Sequence, residues 1–163
     1  MKASKLSILS LSVSLAMILS FVESQIPPLV AIPGVKMGLA NIAGVFALYK
    51  MGWKYAAVIS GVRVFLVGLL FGSAVSLLYS TAGAVVSFLC MVLLKKTGRF
   101  SYTAVSVAGG VMHNMGQIAM ACILMSTNIL KYYAPFLILS GTLAGIVIGL
   151  LSAVLVKRIN VKA

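Results

Sequence analysis

The sequence contains no aspartate, and Glu23 is its single acidic residue among 163. It has one histidine, His113, and two cysteines, Cys90 and Cys122, which lie in separate apolar runs. One carboxylate cannot form a paired acid–base site, complete a serine–histidine–carboxylate triad or build a carboxylate cage for Mg²⁺ and diphosphate. A disulfide framework or a metal site needs more ligands at closer spacing. We therefore expect no catalytic residues, no metal site and no cofactor.

The chain also lacks the motif G-x-x-x-x-G-K-[ST], so it has no P-loop for ATP. Charged residues make up 9% of the sequence and hydrophobic residues 62%, which leaves too few charges to cover a water-soluble domain. The 13 Lys and Arg residues give a net charge of +12, but they occur in small clusters between apolar runs and not in one basic patch. The composition indicates a protein of the lipid bilayer, and nucleic acid is not an expected partner.

Long apolar runs fill most of the chain, and a spanning helix needs about 20 mostly apolar residues. We predict one all-α domain over 1–163 with six transmembrane helices, at 6–22, 36–49, 55–73, 76–94, 102–125 and 132–156. The first run has the basic start of a signal peptide, but it is long enough to span and further spans follow it. The second is short and rich in small residues, so we expect it to be tilted or half-buried.

Lysine and arginine are distributed unevenly over the predicted loops, and cytoplasmic loops are enriched in both residues. With the N-terminus in the cytoplasm, Lys36 and Lys131 lie outside and Arg63 lies within a span. The other ten lie inside: Lys2, Lys5, Lys50, Lys54, Lys95, Lys96, Arg99, Lys157, Arg158 and Lys162. This bias predicts an even number of spans, with both termini cytoplasmic and the loop after the first span extracellular.

The extracellular loop follows Glu23 and contains the proline-rich stretch PPLVAIPG at 27–34. Proline lacks a backbone N–H and restricts the residue before it, so this stretch is not a regular helix. Irregular backbone at membrane depth occurs where it is buried in protein or lines a cavity. We interpret the loop as a wall or lid of an outward-facing pocket, and a plain solvated connector is the alternative. Glu23 is expected to neutralise either Lys36 or Arg63, and the sequence leaves both open.

Small residues recur every four positions on two predicted helices, and residues at that spacing share one helix face. Small residues allow two helix backbones to approach closely, either within the chain or against another membrane protein. The two stripes are Ser12, Ala16 and Ser20 on the first span and Gly141, Gly145 and Gly149 on the sixth. We expect the glycine stripe to pack helices within the chain.

Polar side chains also lie within the predicted spans, where a charge is costly unless it faces a cavity or a partner. Arg63 lies in the third span, and His113, Asn114 and Gln117 lie in the fifth. His113 and Gln117 are one helical turn apart on one face. Together with Glu23 they predict a column of polar groups below the proline-rich loop. Hydrogen bonding between helices is the alternative for each, and metal or haem ligation is a further one for His113.

Several short motifs carry a family resemblance: ES-x-IP from Glu23, PGVKMGLANI at 33–42, SGVR at 60–63, LFG at 70–72, LYS at 78–80 and HNMGQ at 113–117. Over roughly 20–150 the chain resembles the family labelled heptaprenyl diphosphate synthase component I, also called the Gx transporter family. That family looks like a branch of the substrate-binding S components of energy-coupling factor (ECF) transporters. The resemblance implies a six-helix protein that binds a vitamin-like molecule near its outer face. It also implies that Ser12, Ala16 and Ser20 dock onto a transmembrane T component, which works with two cytoplasmic ATPases.

The residues and the resemblance together predict a non-enzymatic substrate-binding subunit of an ECF-type importer in a bacterial cell membrane. The expected pocket or gate residues are Glu23, Lys36, Asn41, Arg63, His113, Asn114 and Gln117. A membrane accessory of an isoprenoid or redox-cofactor pathway is the alternative. The family label names a prenyl synthase. Trans-prenyl synthases catalyse with aspartate-rich motifs, whereas this chain has no aspartate. Flavin, quinone precursor, haem and prenyl phosphate all remain open as substrates.

Overall fold

The computed structural model describes residues 3–25, 38–126 and 132–159. Within these ranges the chain forms six α-helices and no β-strand: α1 (Ala3–Gln25), α2 (Asn41–Lys50), α3 (Trp53–Phe71), α4 (Ala74–Thr97), α5 (Tyr102–Leu124) and α6 (Ala134–Arg158). All of them except α2 are long and apolar enough to cross a membrane. The described part of the chain is therefore all-helical, and its five long apolar helices indicate a multi-pass membrane protein, as the composition predicted.

Helix α2 departs most from the predicted spans. It has 10 residues, where a span over 36–49 was predicted. At 1.5 Å per residue it is about 15 Å long, roughly half the thickness of the hydrocarbon layer. Helices α1 and α3 cover one side of α2, and α6 covers another. The buried residues of α2 are Ile42, Ala43, Val45, Phe46, Ala47 and Leu48. A helix enclosed in this way does not need the full length of a lipid-facing span.

Contacts at the two ends of α2 show how it runs through the bundle. The backbone N–H of Gly38, just before α2, donates to the Glu23 carboxylate near the end of α1. Near the other end of α2, the Leu48 carbonyl accepts a hydrogen bond from the Lys95 ammonium at the end of α4. A cation there is favourable because the last carbonyls of a helix lack intrahelical partners and carry partial negative charge. Helix α2 thus returns across the bundle from what we call the Glu23 end to the Lys95 end. Cytoplasmic termini and a count of six spans remain predictions.

Glycines of α6 allow its backbone to lie in direct contact with the backbone of α5. A Cβ atom on Gly145 would lie 2.5 Å from the Cα of Val107, and one on Gly149 would lie 2.6 Å from the Cα of Thr103. A Cβ on Gly141 would lie 2.8 Å from the carbonyl oxygen of Gly110. Ordinary contacts of a Cβ atom are 3.4–4 Å. The glycine stripe of α6 therefore lies on the face that contacts α5, where packing within the chain was predicted.

The small-residue stripe of α1 is also inside the molecule. Ser12 and Ser20 are each 7% exposed and Ala16 is fully buried. Ala16 belongs to a core cluster with residues of α2 and α3, among them Ala47 and Ile59. The face of this stripe is thus covered by the chain's own helices. Docking of a partner onto Ser12, Ala16 and Ser20 remains a prediction, and their burial weighs against it.

Candidate functional site

A cavity of about 390 Å³ lies at the Glu23 end of the bundle. Helices α1 and α3–α6 and the start of α2 all contribute to its wall. Six of the seven predicted pocket residues line it: Glu23, Asn41, Arg63, His113, Asn114 and Gln117. The seventh, Lys36, and the proline-rich stretch lie outside the described residues. The structure thus brings together side chains up to 94 positions apart in the sequence (from Glu23 to Gln117), and their role in ligand binding remains a prediction.

The wall formed by α5 depends on small residues around its polar groups. Gln117 lies one turn after His113, and both line the cavity. Gly83 of α4 allows α5 to approach closely, since a Cβ atom there would lie 2.7 Å from the His113 carbonyl oxygen and 2.9 Å from the Gln117 side chain. The close contact with α4 fixes the helix that carries both polar side chains. Gln117 in this position can donate and accept hydrogen bonds towards a ligand.

Asn114 has a structural contact as well as a place in the wall. It is 8% exposed, and its side-chain amide donates a 2.6 Å hydrogen bond to the Leu137 carbonyl of α6. Gly141 of α6 lies beside it, and a Cβ atom built on Gly141 would be 3.0 Å from the Asn114 amide nitrogen. The alternative of hydrogen bonding between helices therefore applies to Asn114. Its second amide proton and its carbonyl oxygen leave it able to contact a ligand too.

Glu23 anchors the start of α2. Its carboxylate accepts a hydrogen bond from the Gly38 backbone N–H, at the point where the described chain resumes after residue 25. Gly38 has a φ of +71°, a conformation that favours glycine, and the turn it starts leads directly into α2. The sequence had posed the choice for Glu23 as Lys36 or Arg63, and the structure adds a backbone partner that neither option included.

Arg63 of α3 faces the cavity from deeper in the bundle. It lies eight residues before the end of α3, about 12 Å along the helix axis, whereas Glu23 lies two residues before the end of α1. The charge of Glu23 acts on the Arg63 guanidinium. None of the hydrogen bonds found among the described residues involves that guanidinium. Because Arg63 lines the cavity, its N–H groups can contact a molecule inside it.

Three of these residues form the floor of the cavity. Asn41, Arg63 and His113 also line a second, much smaller space of about 20 Å³ on the side towards the Lys95 end. That volume is about enough for one water molecule. Ser60 and Ser87 add hydroxyl groups to its wall. The floor is therefore polar on both sides, and it separates the cavity from the more apolar half of the bundle.

Three serines at the cap and in the first two turns of α4 are cavity residues that the sequence did not single out. Ser73, Ser76 and Ser80 line the cavity at i, i+3 and i+7, which places them on one helix face. Ser73 and Ser76 also form a reciprocal cap at the start of α4, with hydrogen bonds of 3.1 Å and 2.9 Å. The spacing S-x-x-S was visible in the sequence, and it indicates a helix start followed by a hydroxyl-bearing face. Ser20, predicted as part of a docking stripe, lines the cavity as well.

The site has the chemistry of a binding pocket. Hydroxyl, amide, imidazole, guanidinium and carboxylate groups surround a space within the range of small-molecule pockets, about 300–1,000 Å³. Among the described residues no group of three or more His, Cys, Asp or Glu side chains is placed to hold a metal ion. The arrangement can therefore recognise a polar molecule by hydrogen bonds and charge.

Comparison with known proteins adds a family to this geometry. No curated protein and no solved structure shows significant similarity to the chain. The model of one protein family, described as heptaprenyl diphosphate synthase component I, matches residues 12–155. This range contains all six residues that line the cavity and were predicted from the sequence. The chain belongs to the heptaprenyl diphosphate synthase component I family.

Proposed function

We propose that this protein is the membrane-embedded substrate-binding subunit of an ECF-type importer in a bacterial cell membrane. The observation that carries the proposal is the cavity at the Glu23 end, to which all six helices or their first residues contribute polar or small side chains. The charge bias of the loops supports an orientation in which this end faces the outside of the cell. A pocket open to the outside and closed below by a polar floor suits capture of a nutrient from the surroundings.

Energy for import has to come from other subunits. The sequence has no P-loop, and its single acidic residue is already hydrogen-bonded to the backbone. A T component and two cytoplasmic ATPases are the partners that the ECF resemblance supplies. Substrate capture and ATP hydrolysis are then divided between chains, as the missing ATP site of this chain requires.

Affinity purification of the tagged protein from its native membrane tests this proposal. We expect a T-component-like membrane protein and two ATPases to co-purify, identified by mass spectrometry. Gln117→Leu is a useful companion variant, because it changes the pocket and should leave the partner set unchanged. Recovery of intact protein from both strains without any ATPase would contradict the importer proposal.

The family description favours a second candidate function. It names a component of heptaprenyl diphosphate synthase, which suggests a membrane accessory of an isoprenoid pathway. In that case the same purification should recover a soluble prenyl synthase and no ATPases. Addition of the purified chain should then change the synthase's product length or rate. The two proposals thus predict different partners in a single experiment.

A further inference from the structure

The Arg63 guanidinium is a partly buried charge within a membrane-spanning helix, and it needs an anionic contact. It belongs to a membrane-spanning helix and lines both the cavity and the small space below the floor. A guanidinium has five N–H donors in a planar fork that matches carboxylate and phosphate oxygens. An intramembrane charge is costly, so it is expected to face a partner or a water-filled cavity. Among the described residues no ion pair satisfies Arg63.

Glu23 does not fill this need by direct contact. Its carboxylate accepts the Gly38 N–H near the mouth of the cavity, and its charge reaches Arg63 only from a distance. The cavity therefore has a cation at its floor and an anion near its mouth. A dipolar ligand complements this arrangement, with its anionic group at Arg63 and hydrogen-bond donors or a cationic group towards Glu23. A ligand with only a positive charge would be repelled from the floor.

Size and lining restrict the ligand further. The cavity volume of about 390 Å³ lies near the lower end of the range of small-molecule pockets, about 300–1,000 Å³. Besides Glu23 and Arg63, the wall offers hydroxyl groups from Ser20 and Ser80 and the side-chain amide of Gln117. Phe71 adds an aromatic ring. Val64 and Val67 add apolar surface beside Phe71. The pocket therefore suits a small molecule that carries a charged or polar group.

We propose that the cavity binds a small ligand through an anionic group, a carboxylate or a phosphate, held by the Arg63 guanidinium. This inference names the ligand class of the site on which the proposed function rests. It applies whether the captured molecule is imported or handed to an enzyme. Binding is therefore tested on the purified chain alone, and its result does not depend on whether ATPases co-purify.

Thermal unfolding of the full chain in detergent provides the test, with inorganic phosphate, acetate and ethanolamine as probes. Ionic strength is held constant with sodium chloride. At about ten times its dissociation constant, a bound probe should raise Tm by about 3–6 °C. We expect phosphate or acetate to raise Tm and ethanolamine alone to leave it unchanged. Arg63→Gln should abolish the rise, and Arg63→Lys should reduce it because an ammonium lacks the planar fork.

Matched controls separate this site from other sources of anion binding. Arg99→Gln removes an exposed arginine between α4 and α5 and should keep the full response. Short-chain phosphatidylglycerol tests whether a lipid phosphate is the ligand instead of a soluble anion. A rise with either soluble anion that is lost in Arg63→Gln supports the proposal. No rise in the wild type, an equal rise in Arg63→Gln, or a response to the lipid alone would overturn it.

Discussion

Replacement of Gly145 by alanine tests the close contact between α5 and α6. A Cβ at this position would lie 2.5 Å from the Val107 Cα, and 3.0 Å from both the Val107 nitrogen and the Ser106 carbonyl oxygen. All three are backbone atoms, so no side chain can rotate away to make room. Ordinary contact begins at 3.4 Å, which means that the helices must separate locally by about 1 Å.

The magnitude follows from a comparison with Gly61→Ala. Gly61 lies in α3 on an exposed face, and a Cβ atom there would have no neighbour within 4 Å. Both substitutions gain about 1 kcal/mol of helix propensity, so this term cancels in their difference. Only Gly145→Ala overpacks a helix contact, at a cost of about 1–3 kcal/mol. We therefore expect its Tm to lie about 2–12 °C below that of Gly61→Ala.

The chain provides its own probes for this measurement. Cys90 and Cys122 are free and partly buried, so a thiol-reactive fluorophore reports their exposure during heating in detergent. The two alanine variants are measured beside the wild type at the same detergent concentration. Gly61→Ala should be as stable as the wild type or slightly more stable. Equal Tm values for the two variants would refute the inference that α6 contacts the α5 backbone at Gly145.

Three further predictions concern orientation, helix packing and the loop anchor. In intact cells and a cysteine-free background, an impermeant maleimide should label Ser126→Cys and leave Lys96→Cys unlabelled, and the reverse pattern would contradict the orientation. Asn114→Leu should lower stability by about 0.6–1.7 kcal/mol because it removes a hydrogen bond to α6, whereas Gln117→Leu should leave Tm nearly unchanged and weaken ligand binding. Glu23→Ala should lower Tm more than Glu23→Gln, because only alanine leaves the backbone amide before α2 without an acceptor, at a cost of about 1–3 kcal/mol. Equal Tm values for the two Glu23 variants would show that this bond is not important.

Polar residues in apolar runs were the most informative part of the sequence. The cost of placing Arg63 or Gln117 in lipid depends on the side chain and the hydrocarbon around it, and hardly on the rest of the fold. Such residues must therefore turn inward, which is why several of them meet in one cavity. The spacing of the α6 glycines was informative for a similar reason, since a face without side chains is suited to close helix contact.

Other features depend on tertiary contacts that a sequence does not display. The spacing of Ser12, Ala16 and Ser20 shows that they share a face, but not that α2 and α3 cover it. The partner of Glu23 is a backbone N–H, and every residue except proline has one, so no residue type could have indicated Gly38. The α4 serines give a weak signal, because a serine in a helix can bond to its own backbone and is tolerated on any face.

The shortness of α2 has a consequence for biogenesis. A nascent helix of this length gains little from entering lipid by itself, because it cannot cross the hydrocarbon layer. Its side chains pack against Ile148 of α6, which is synthesised after α1–α5. Until α6 arrives, the part of the α2 surface that packs against Ile148 has no permanent partner. A ribosome-stalled chain that ends before α6 should therefore keep α2 accessible to water-soluble reagents or to an insertase, and release of the full chain should bury it.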